Sequence, residues 1–288
     1  MSYGILITGG SGFFGNAFAR EMLKLSKVRR IVILSRDEYK QSIMERELCG
    51  HPEFHKLRFY LGDVRDELRL EMAMHGITHI VHAAALKRIE CCERDPIEAV
   101  RTNVEGAANV IHAALRVPSV VRMVGLSTDK ACNPINLYGA TKLTMERLIL
   151  AANNMAGGKM KFAVVRYGNI FGSRGSVVRI WQEIIAGGLR KVPVTNPEAT
   201  RFFMKIEDAV TLVRRELFDI PLSSDMICPA MMPAYRLGDL AKAMGVYPDI
   251  VTGLSPFEKL HEEIMPGVSS DKARRMTVDE LREEIRRL

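Results

Sequence analysis

The chain has 288 residues, of which 47% are hydrophobic and 26% are charged, and its glycines and prolines are spread along the whole length. This composition is typical of a folded globular protein and excludes an intrinsically disordered one. No apolar run reaches the roughly 20 residues of a membrane span, and the N-terminus enters an apolar pattern without a basic leader. We therefore expect a cytoplasmic protein with no membrane partner.

The net charge is +7, but the basic residues mostly alternate with acidic ones, as in the predicted last helix, about Val278 to Leu288. Alternation of this kind is typical of a solvated helix, so we expect no nucleic-acid partner. A modest positive excess instead suits a substrate and a cofactor that carry phosphates. The five cysteines have neither C-x-x-C spacing nor histidines at zinc-ligand intervals, which predicts reduced thiols and no metal site.

The first predicted strand, Gly4 to Thr8, leads into a glycine-rich turn and then into a helix from Asn16 to Leu25. Glycines let the backbone approach a phosphate, and the free N–H groups and dipole of a helix N-terminus attract the anion. The spacing Gly9-x-x-Gly12-x-x-Gly15 is the form found in relatives of short-chain dehydrogenases. The predicted cofactor-binding residues of this turn are Gly9, Ser11, Gly12, Phe13, Phe14 and Gly15.

The second predicted strand, Arg30 to Leu34, ends close to Arg36 and Lys40. An acidic residue directly at such a strand end would accept the ribose hydroxyls of NAD, whereas an arginine can hold the additional phosphate of NADP. We therefore predict NADP as the cofactor, with NAD as the alternative, because Asp37 could still reach the ribose.

Two further strands, Leu57 to Leu61 and Thr78 to His82, are followed by Asp63-Val64 and by Ala83-Ala84. Small residues after a strand allow a flat cofactor to lie against the backbone. Asp63 could bind an adenine amino group or could cap the helix that follows Val64. Asp63, Val64, Ala83 and Ala84 complete the predicted cofactor-binding residues together with Arg36, Lys40 and two residues considered below.

Helices between about Pro96 and Leu115 and a fifth strand, Val120 to Leu126, continue the alternation of strand and helix. The alternation predicts an α/β fold with a doubly wound, Rossmann-type parallel sheet and right-handed crossovers. Ligands of such sheets bind beyond the carboxyl ends of the strands, where residues 127–130 follow the fifth strand.

Tyr138 and Lys142 are four residues apart on the next predicted helix and therefore share one face. A free phenol titrates near about 10, and a nearby cation favours the phenolate, so Tyr138 could remove a proton from a sugar hydroxyl and both residues could contact the cofactor. The alternative is a tyrosine and a lysine on the surface of an amphipathic helix. Asp129 and Lys130 add an acid and a base that alcohol oxidation does not need, although Asp129 could be a loop cap.

In this order and at this spacing, the motifs resemble those of the extended short-chain dehydrogenase/reductase family. Residues 127–142 and 166–177 are similar to those of the inverting UDP-N-acetylglucosamine 4,6-dehydratases of pseudaminic acid and capsule sugar synthesis. The resemblance runs from about Tyr3 to about His261. It implies an NADP-dependent lyase that acts on a UDP-sugar and that assembles as a dimer or hexamer.

The resemblance also implies roles for the catalytic residues. Tyr138, helped by Lys142 and Thr128, would take the proton from O4 of the sugar while NADP accepts hydride from C4. Lys130 would then be the base at C5 and Asp129 the acid for O6, giving a 5,6-ene. Return of hydride to C6 and protonation of C5 from the opposite face would give the inverted product.

By the same resemblance, substrate would be bound by Lys87, Asn169, Arg201 and Glu258, where an arginine can form two hydrogen bonds to a diphosphate. Arg201 could also form only a surface salt bridge. Similar proteins have Arg-Pro-Gly-Glu-Lys-Leu-His-Glu where this chain has Ser255 and Phe257 in place of Arg and Gly. We expect residues 1–168 to form the cofactor-binding domain and 169–288 mainly a smaller substrate-binding lobe, with some segments returning to the sheet.

Two alternatives remain open from the sequence. The same residues could serve a UDP-sugar epimerase or reductase, including an enzyme that acts on a preformed 5,6-ene. A non-catalytic NADP-binding protein would have little reason to combine Thr128, Asp129 and Lys130 with Tyr138 and Lys142.

Overall fold

The computed structural model of the protein describes residues 2–219, 226–229 and 231–288. The strands are β1 (Tyr3–Thr8), β2 (Val28–Ser35), β3 (Leu57–Leu61), β4 (His79–His82), β5 (Arg122–Thr128), β6 (Lys161–Tyr167), β7 (Lys191–Val194), β8 (Thr200–Phe202), β9 (Met226–Ile227), β10 (Ala234–Arg236), β11 (Tyr247–Val251), β12 (Glu263–Met265) and β13 (Val268–Ser269). The α-helices are α1 (Phe13–Leu23), α2 (Glu38–Leu48), α3 (Glu67–Ala73), α4 (Ile89–Arg94), α5 (Pro96–Val100), α6 (Gly106–Arg116), α7 (Leu137–Met155), α8 (Val177–Ala186), α9 (Ile206–Phe218), α10 (Leu237–Met244) and α11 (Val278–Arg286).

Seven strands form the central sheet in the order β3-β2-β1-β4-β5-β6-β9. The registers between β1 and its two neighbours, and those of β2 with β3, β4 with β5 and β6 with β9, are all parallel. The strand order reverses direction at β1 and β4, as it does in a doubly wound sheet. The predicted Rossmann-type α/β fold is thereby confirmed.

The buried strands explain why the sequence folds in this way. Ile5, Leu6 and Ile7 of β1 are fully buried, and residues 31–35 of β2 are buried as well. Continuous apolar runs are typical of parallel strands, because helices cover both faces of such sheets. The first helix begins at Phe13, three residues before the predicted Asn16, since Gly12 adopts the extended conformation of an N-cap.

The pattern of contacts divides the chain into two compact units that are not contiguous in sequence. The first consists of residues 1–127, 141–165 and 210–227, and the second of residues 128–140, 166–209 and 228–288. A single boundary at residue 168 therefore does not describe the contacts. Residues 226 and 227 of the later segment pair with β6, which returns that segment to the sheet.

The second unit has a core and small sheets of its own. Strand β10 pairs antiparallel with β8, β11 pairs parallel with β7, and β12 pairs antiparallel with β13. Its core includes Trp181, Phe203 and Leu240, and the ring of Phe171 lies 5.0 Å from that of Phe203. None of the helices within the described residues is both long enough and apolar enough to cross a membrane.

Candidate active site

The glycine-rich turn places backbone rather than side chains at the carboxyl end of β1. Gly9 has φ +67°, and a Cβ atom there would lie 2.8 Å from the backbone nitrogen of Ala84. Only glycine therefore fits this position. Gly12 caps α1 with an extended backbone and no side-chain hydrogen bond, so no side chain of the cap competes with an anion at this helix N-terminus. The hydroxyl of Ser11 is 2.7 Å from that of Ser35 at the end of β2.

The two cations after β2 both have acidic neighbours. Arg36 Nη1 lies 3.6 Å from Asp63 Oδ2, and the guanidinium is half exposed. Lys40 forms an ion pair with Asp37, whose carboxylate also accepts the backbone N–H of Lys40 at 2.9 Å and so caps α2. Asp37 therefore has a capping role, and the side chains of Arg36 and Lys40 are exposed to similar extents, 49% and 45%.

Asp63 does not cap the helix that follows, because Asp66 accepts the N–H of Arg69 and caps α3. Asp63 instead accepts the N–H of Arg65 at 3.0 Å and one of its guanidinium nitrogens at 2.8 Å. Burial raises the pKa of Asp63, but the hydrogen bonds and the charge of Arg65 lower it by more. The pKa of Asp63 therefore lies below its usual value. Val64 is buried, the alanines Ala83 and Ala84 are partly buried, and Lys87 is exposed in the loop between β4 and α4.

Within the first unit, α7 carries Lys142 in a buried position. Burial lowers the pKa of Lys142 to about 8, although Glu146 opposes the shift. Glu146 is one helical turn beyond Lys142 and accepts a 2.5 Å hydrogen bond from the hydroxyl of Ser127 at the end of β5. His82, at the end of β4, is fully buried, and burial lowers its pKa to about 3, so it is neutral beside Lys142.

Within the second unit, the ammonium of Lys130 is surrounded by oxygen atoms. Lys130 Nζ is 3.1 Å from Asp129 Oδ1, 3.3 Å from Glu262 Oε1 and 3.2 Å from Asn169 Oδ1. The short 3₁₀ helix Asp129–Ala131 follows β5 directly, and the Thr128 side chain accepts the N–H of Lys130 at its start. This geometry brings the predicted Asp129, Lys130 and Asn169 together and adds Glu262.

Asp129 is fully buried, and its Oδ2 atom has no hydrogen-bond partner among the described residues. Its Oδ1 atom accepts bonds from Thr128 Oγ1 at 3.0 Å and from Lys130. Burial, reinforced by the charge of Glu262, raises the pKa of Asp129 above its usual value despite the attraction of Lys130. Gly168 packs beside this carboxyl, where a Cβ atom would lie 3.4 Å from Oδ2 and only 2.5 Å from the Cβ atom of Phe202.

Tyr138 is half-buried near the start of α7, one turn before Lys142. Within the second unit it neighbours Tyr167 at the end of β6, which is buried. Burial, followed by the charge that Tyr138 would carry, raises the pKa of Tyr167 well above its usual value. Tyr167 therefore stays protonated, whereas Tyr138 is the more accessible of the two phenols.

Arg201 is buried and is not a surface salt bridge. It donates from Nη1 to the carbonyls of Thr200 at 2.8 Å and Leu260 at 3.2 Å, and it forms an ion pair with Glu258. Glu258 also accepts the hydroxyl of Thr195 at 3.2 Å. Arg201 lies on β8 and Glu258 lies in the segment before β12, and the ion pair joins them. Lys87 belongs to the other unit.

Two buried carboxylates, one in each unit, were not assigned from the sequence. Glu146 is four residues after Lys142, and that spacing places both residues on one face of α7. Glu262 ends the same segment that contains Ser255 and Phe257, but no spacing rule relates it to a residue 132 positions earlier in the chain. Only the packing of β12 against residues 129–131 brings Glu262 to Lys130.

Residues 5–281 match the model of a family described as polysaccharide biosynthesis protein. A UDP-N-acetylglucosamine 4,6-dehydratase (inverting) of Campylobacter jejuni is 42% identical over 271 residues, which are 93% of this chain and 78% of that protein. A UDP-glucose 4-epimerase of Rickettsia rickettsii is 44% identical over 213 residues, which are 73% of this chain and 61% of that protein.

The fold is also similar to that of DesIV, a dTDP-glucose 4,6-dehydratase from Streptomyces venezuelae solved with NAD and TYD bound. The TM-score is 0.77, at 17% sequence identity, over 98% of this chain and 95% of that one. At this identity the similarity concerns the fold alone.

Proposed function

Because this chain belongs to the polysaccharide biosynthesis protein family, as a dehydratase of the extended short-chain dehydrogenase/reductase class, we propose that it converts UDP-N-acetylglucosamine by C5-inverting 4,6-dehydration. The observation that carries the proposal is the buried pair of Asp129 and Lys130, directly after Thr128. Reactions at C4 alone do not need this second acid and base, whereas loss of water from C5 and C6 needs both.

A dinucleotide fits the residues at the carboxyl ends of β1, β2 and β4. The Gly9 position has no room for a Cβ atom, the cap of α1 has no competing side chain, and Ala83 and Ala84 are small. Arg36, with half its side chain exposed, supports NADP rather than NAD. The nicotinamide, when bound, accepts hydride from C4 of the sugar and returns it at C6.

Tyr138 takes the proton from O4 as C4 is oxidised. Lys142, buried on the same helix, favours the phenolate by its positive charge, and its lowered pKa allows it to change protonation near neutral pH. Thr128 orients the carboxyl of Asp129 by donating a 3.0 Å hydrogen bond to it. The 4-ketone that results acidifies the C5–H bond.

Asp129 and Lys130 carry out the elimination. Burial raises the pKa of Asp129, which favours the protonated form that can give a proton to O6 as water leaves. Lys130 takes the C5 proton, and its side chain is oriented by Asn169. Arg201 and Glu258 form the nucleotide-binding part of the second unit, in which the arginine donates toward the diphosphate.

A second candidate function is C4 epimerisation of a UDP-sugar, which the identity with a UDP-glucose 4-epimerase favours. An epimerase uses the tyrosine and lysine for the same first step. An epimerase neither breaks a C5–H bond nor releases water, so its reaction gives Asp129 and Lys130 no catalytic role.

The deciding experiment is incubation of the purified protein with UDP-N-acetylglucosamine in heavy water, with the product read by NMR and mass spectrometry. Dehydration predicts a 4-keto-6-deoxy product with deuterium at C5 and inverted configuration there. A UDP-hexose that keeps its mass and changes only at C4 would support the epimerase. Turnover of other UDP-sugars but not of UDP-N-acetylglucosamine would indicate that the segment with Ser255 and Phe257 selects a different sugar.

A further inference from the structure

Lys130 is positioned between two carboxylates that keep it positively charged. Its Nζ atom is 3.1 Å from Asp129 Oδ1 and 3.3 Å from Glu262 Oε1. Burial opposes a charge here, but the two carboxylates outweigh it and raise the pKa of Lys130 above its usual value. An ammonium has no lone pair, so it cannot take a proton from C5 until it loses one.

The proton of Lys130 needs an acceptor within hydrogen-bonding reach, and the cluster offers two carboxylates. Asp129 is unsuitable, because in the proposed dehydration it must itself arrive at O6 with a proton. Glu262 is suitable on geometry, since its Oε1 atom faces Lys130 and its Oε2 atom is buried without a partner among the described residues. The cations Lys130, Arg201 and Lys259 lower the pKa of Glu262 although burial raises it, so Glu262 is ionised and can accept a proton, and the transfer from Lys130 is an uphill step.

Glu262 is held in this position by its backbone. Its N–H donates to Ser270 Oγ at 2.9 Å, and its carbonyl accepts the N–H of Ser270 at 2.8 Å. The hydroxyl of Ser270 is 2.6 Å from that of Thr200. The side chain of Glu262 is 3% exposed. A fixed and buried carboxylate is what transfer of one proton over a constant distance requires.

We propose that Glu262 is a positioning residue that accepts a proton from the Lys130 ammonium, so that the Lys130 amine becomes the base at C5. This inference rests on the proposed dehydration. An N–H bond of Lys130 breaks as the O–H bond of Glu262 forms, and the amine lone pair then takes the C5 proton. The C5–H electrons form the C5–C6 double bond while the C6–O6 bond breaks and the proton of Asp129 leaves with O6 as water.

The cycle restores itself within the same three residues. After elimination Asp129 is ionised, Lys130 is an ammonium again and Glu262 holds a proton. Because Lys130 Nζ contacts both Asp129 Oδ1 and Glu262 Oε1, it can pass a proton to Asp129 and then receive the proton of Glu262. Charge and proton number in the cluster are the same before and after elimination. The proton that C5 gains on the opposite face comes from solvent and is balanced by the O4 proton that Tyr138 releases to solvent.

The test compares Glu262→Gln, Glu262→Asp and the matched control Glu263→Gln, the adjacent residue, whose carboxylate accepts from Asn133 at 2.6 Å rather than from Lys130. In single turnover, E262Q is expected to form reduced cofactor at the wild-type rate. It should lose about 100-fold in water elimination and in C5 exchange with heavy water, the size of a general-base contribution, with KM little changed. E262D should recover part of the loss, and E263Q should match the wild type.

The pH profile supplies a readout that a purely structural role would not change. Glu262 faces the cations Lys130, Arg201 and Lys259 and, across Lys130, the carboxyl of Asp129. Without the Glu262 carboxylate, Lys130 must lose its proton to solvent, so elimination by E262Q should increase steadily with pH in the alkaline range. The wild type should show no such increase, and elimination by either protein should decrease once Asp129 loses its proton.

Each outcome has a separate meaning. Equal elimination by E262Q and wild type, or a parallel loss of oxidation and elimination with a lower Tm, would overturn the role of Glu262. If the wild type dehydrates a different UDP-hexose, only the sugar in the proposed function is wrong and the same variants are compared on that hexose. A wild type that dehydrates no UDP-sugar overturns both the proposed function and this inference.

Discussion

Asp129 and Glu262 share a single ammonium, with Lys130 Nζ 3.1 Å from one carboxyl and 3.3 Å from the other. Both carboxyls are buried, and their pKa values move in opposite directions, upward for Asp129 and downward for Glu262. Pairs of acids whose environments separate their pKa values are typical of acid and base assignments in active sites. The cluster thus holds two carboxyls of unequal acidity around the same lysine.

Replacement of Asp129 by Asn should block elimination but not oxidation at C4, because the amide cannot protonate O6. We expect reduced cofactor to accumulate in single turnover while release of 6-deoxy product falls by about 100-fold or more. Absorbance of the reduced nicotinamide and NMR of the sugar measure the two steps separately. Asp271→Asn, an exposed carboxylate that accepts from Ser269, is the control and should behave as the wild type. Loss of both steps together in D129N would contradict the assignment.

The raised pKa of Asp129 also sets the direction of the pH dependence. The acid works only while it is protonated, so the rate of elimination should decrease as pH rises through the pKa of Asp129. The rate of cofactor reduction should not follow this decrease. A measured elimination rate that increases over the same interval would show that Asp129 acts as a base.

Replacement of Tyr138 by Phe should prevent the first step, since removal of the phenol leaves no base at O4. We expect no reduced cofactor on mixing with substrate, and a loss of about 100-fold or more in turnover. Tyr167→Phe is the matched control, because Tyr167 has a raised pKa, stays protonated and cannot act as a base. A similar loss in both variants would mean that Tyr138 contributes packing rather than chemistry.

Replacement of Arg36 by Ala should change cofactor preference rather than catalysis. If Arg36 holds the additional phosphate of NADP, its loss removes a charge-assisted hydrogen bond of about 1.5–3 kcal/mol and weakens NADPH binding by roughly 10- to 100-fold. Binding of NADH should change little. Titration calorimetry with both cofactors measures this, and Arg29→Ala, an exposed arginine earlier on β2, is the control. Equal binding of NADH and NADPH by the wild type would contradict this role of Arg36, and tighter binding of NADH would favour NAD.

The sheet and the glycine-rich turn were predictable because both depend on local patterns. The third strand has the predicted bounds Leu57–Leu61, since a run of apolar residues between turn signals defines it completely. The boundaries near 168 were not predictable, because the assignment of residues 128–140 and 210–227 to one unit or the other depends on packing between distant segments.

The same distinction applies to the site. Asp129, Lys130, Tyr138 and Lys142 lie within 14 residues of sequence and could be recognised as a motif. Glu262 could not, because its approach to Lys130 depends on the pairing of β12 with β13 and on the hydrogen bonds of Ser270. Likewise, the burial of Arg201 is set by the carbonyls of Thr200 and Leu260, which a sequence pattern does not place.

Replacement of Lys142 by Met should stabilise the protein and abolish its activity. Lys142 is buried, and its pKa falls from 10.5 to about 8 on folding, so below pH 8 the folded state keeps a buried charge that the unfolded state solvates. This cost is on the order of 3 kcal/mol, is fully present below about pH 8, and disappears as pH rises toward the unfolded value of 10.5. Thermal unfolding without cofactor should therefore give K142M a higher Tm than the wild type at pH 7 and a similar Tm near the unfolded pKa. Lys205→Met, which removes a half-exposed lysine paired with Glu284, should show no such pH-dependent gain. A lower Tm for K142M at pH 7 would mean that Lys142 is stabilised in the folded state by its charge.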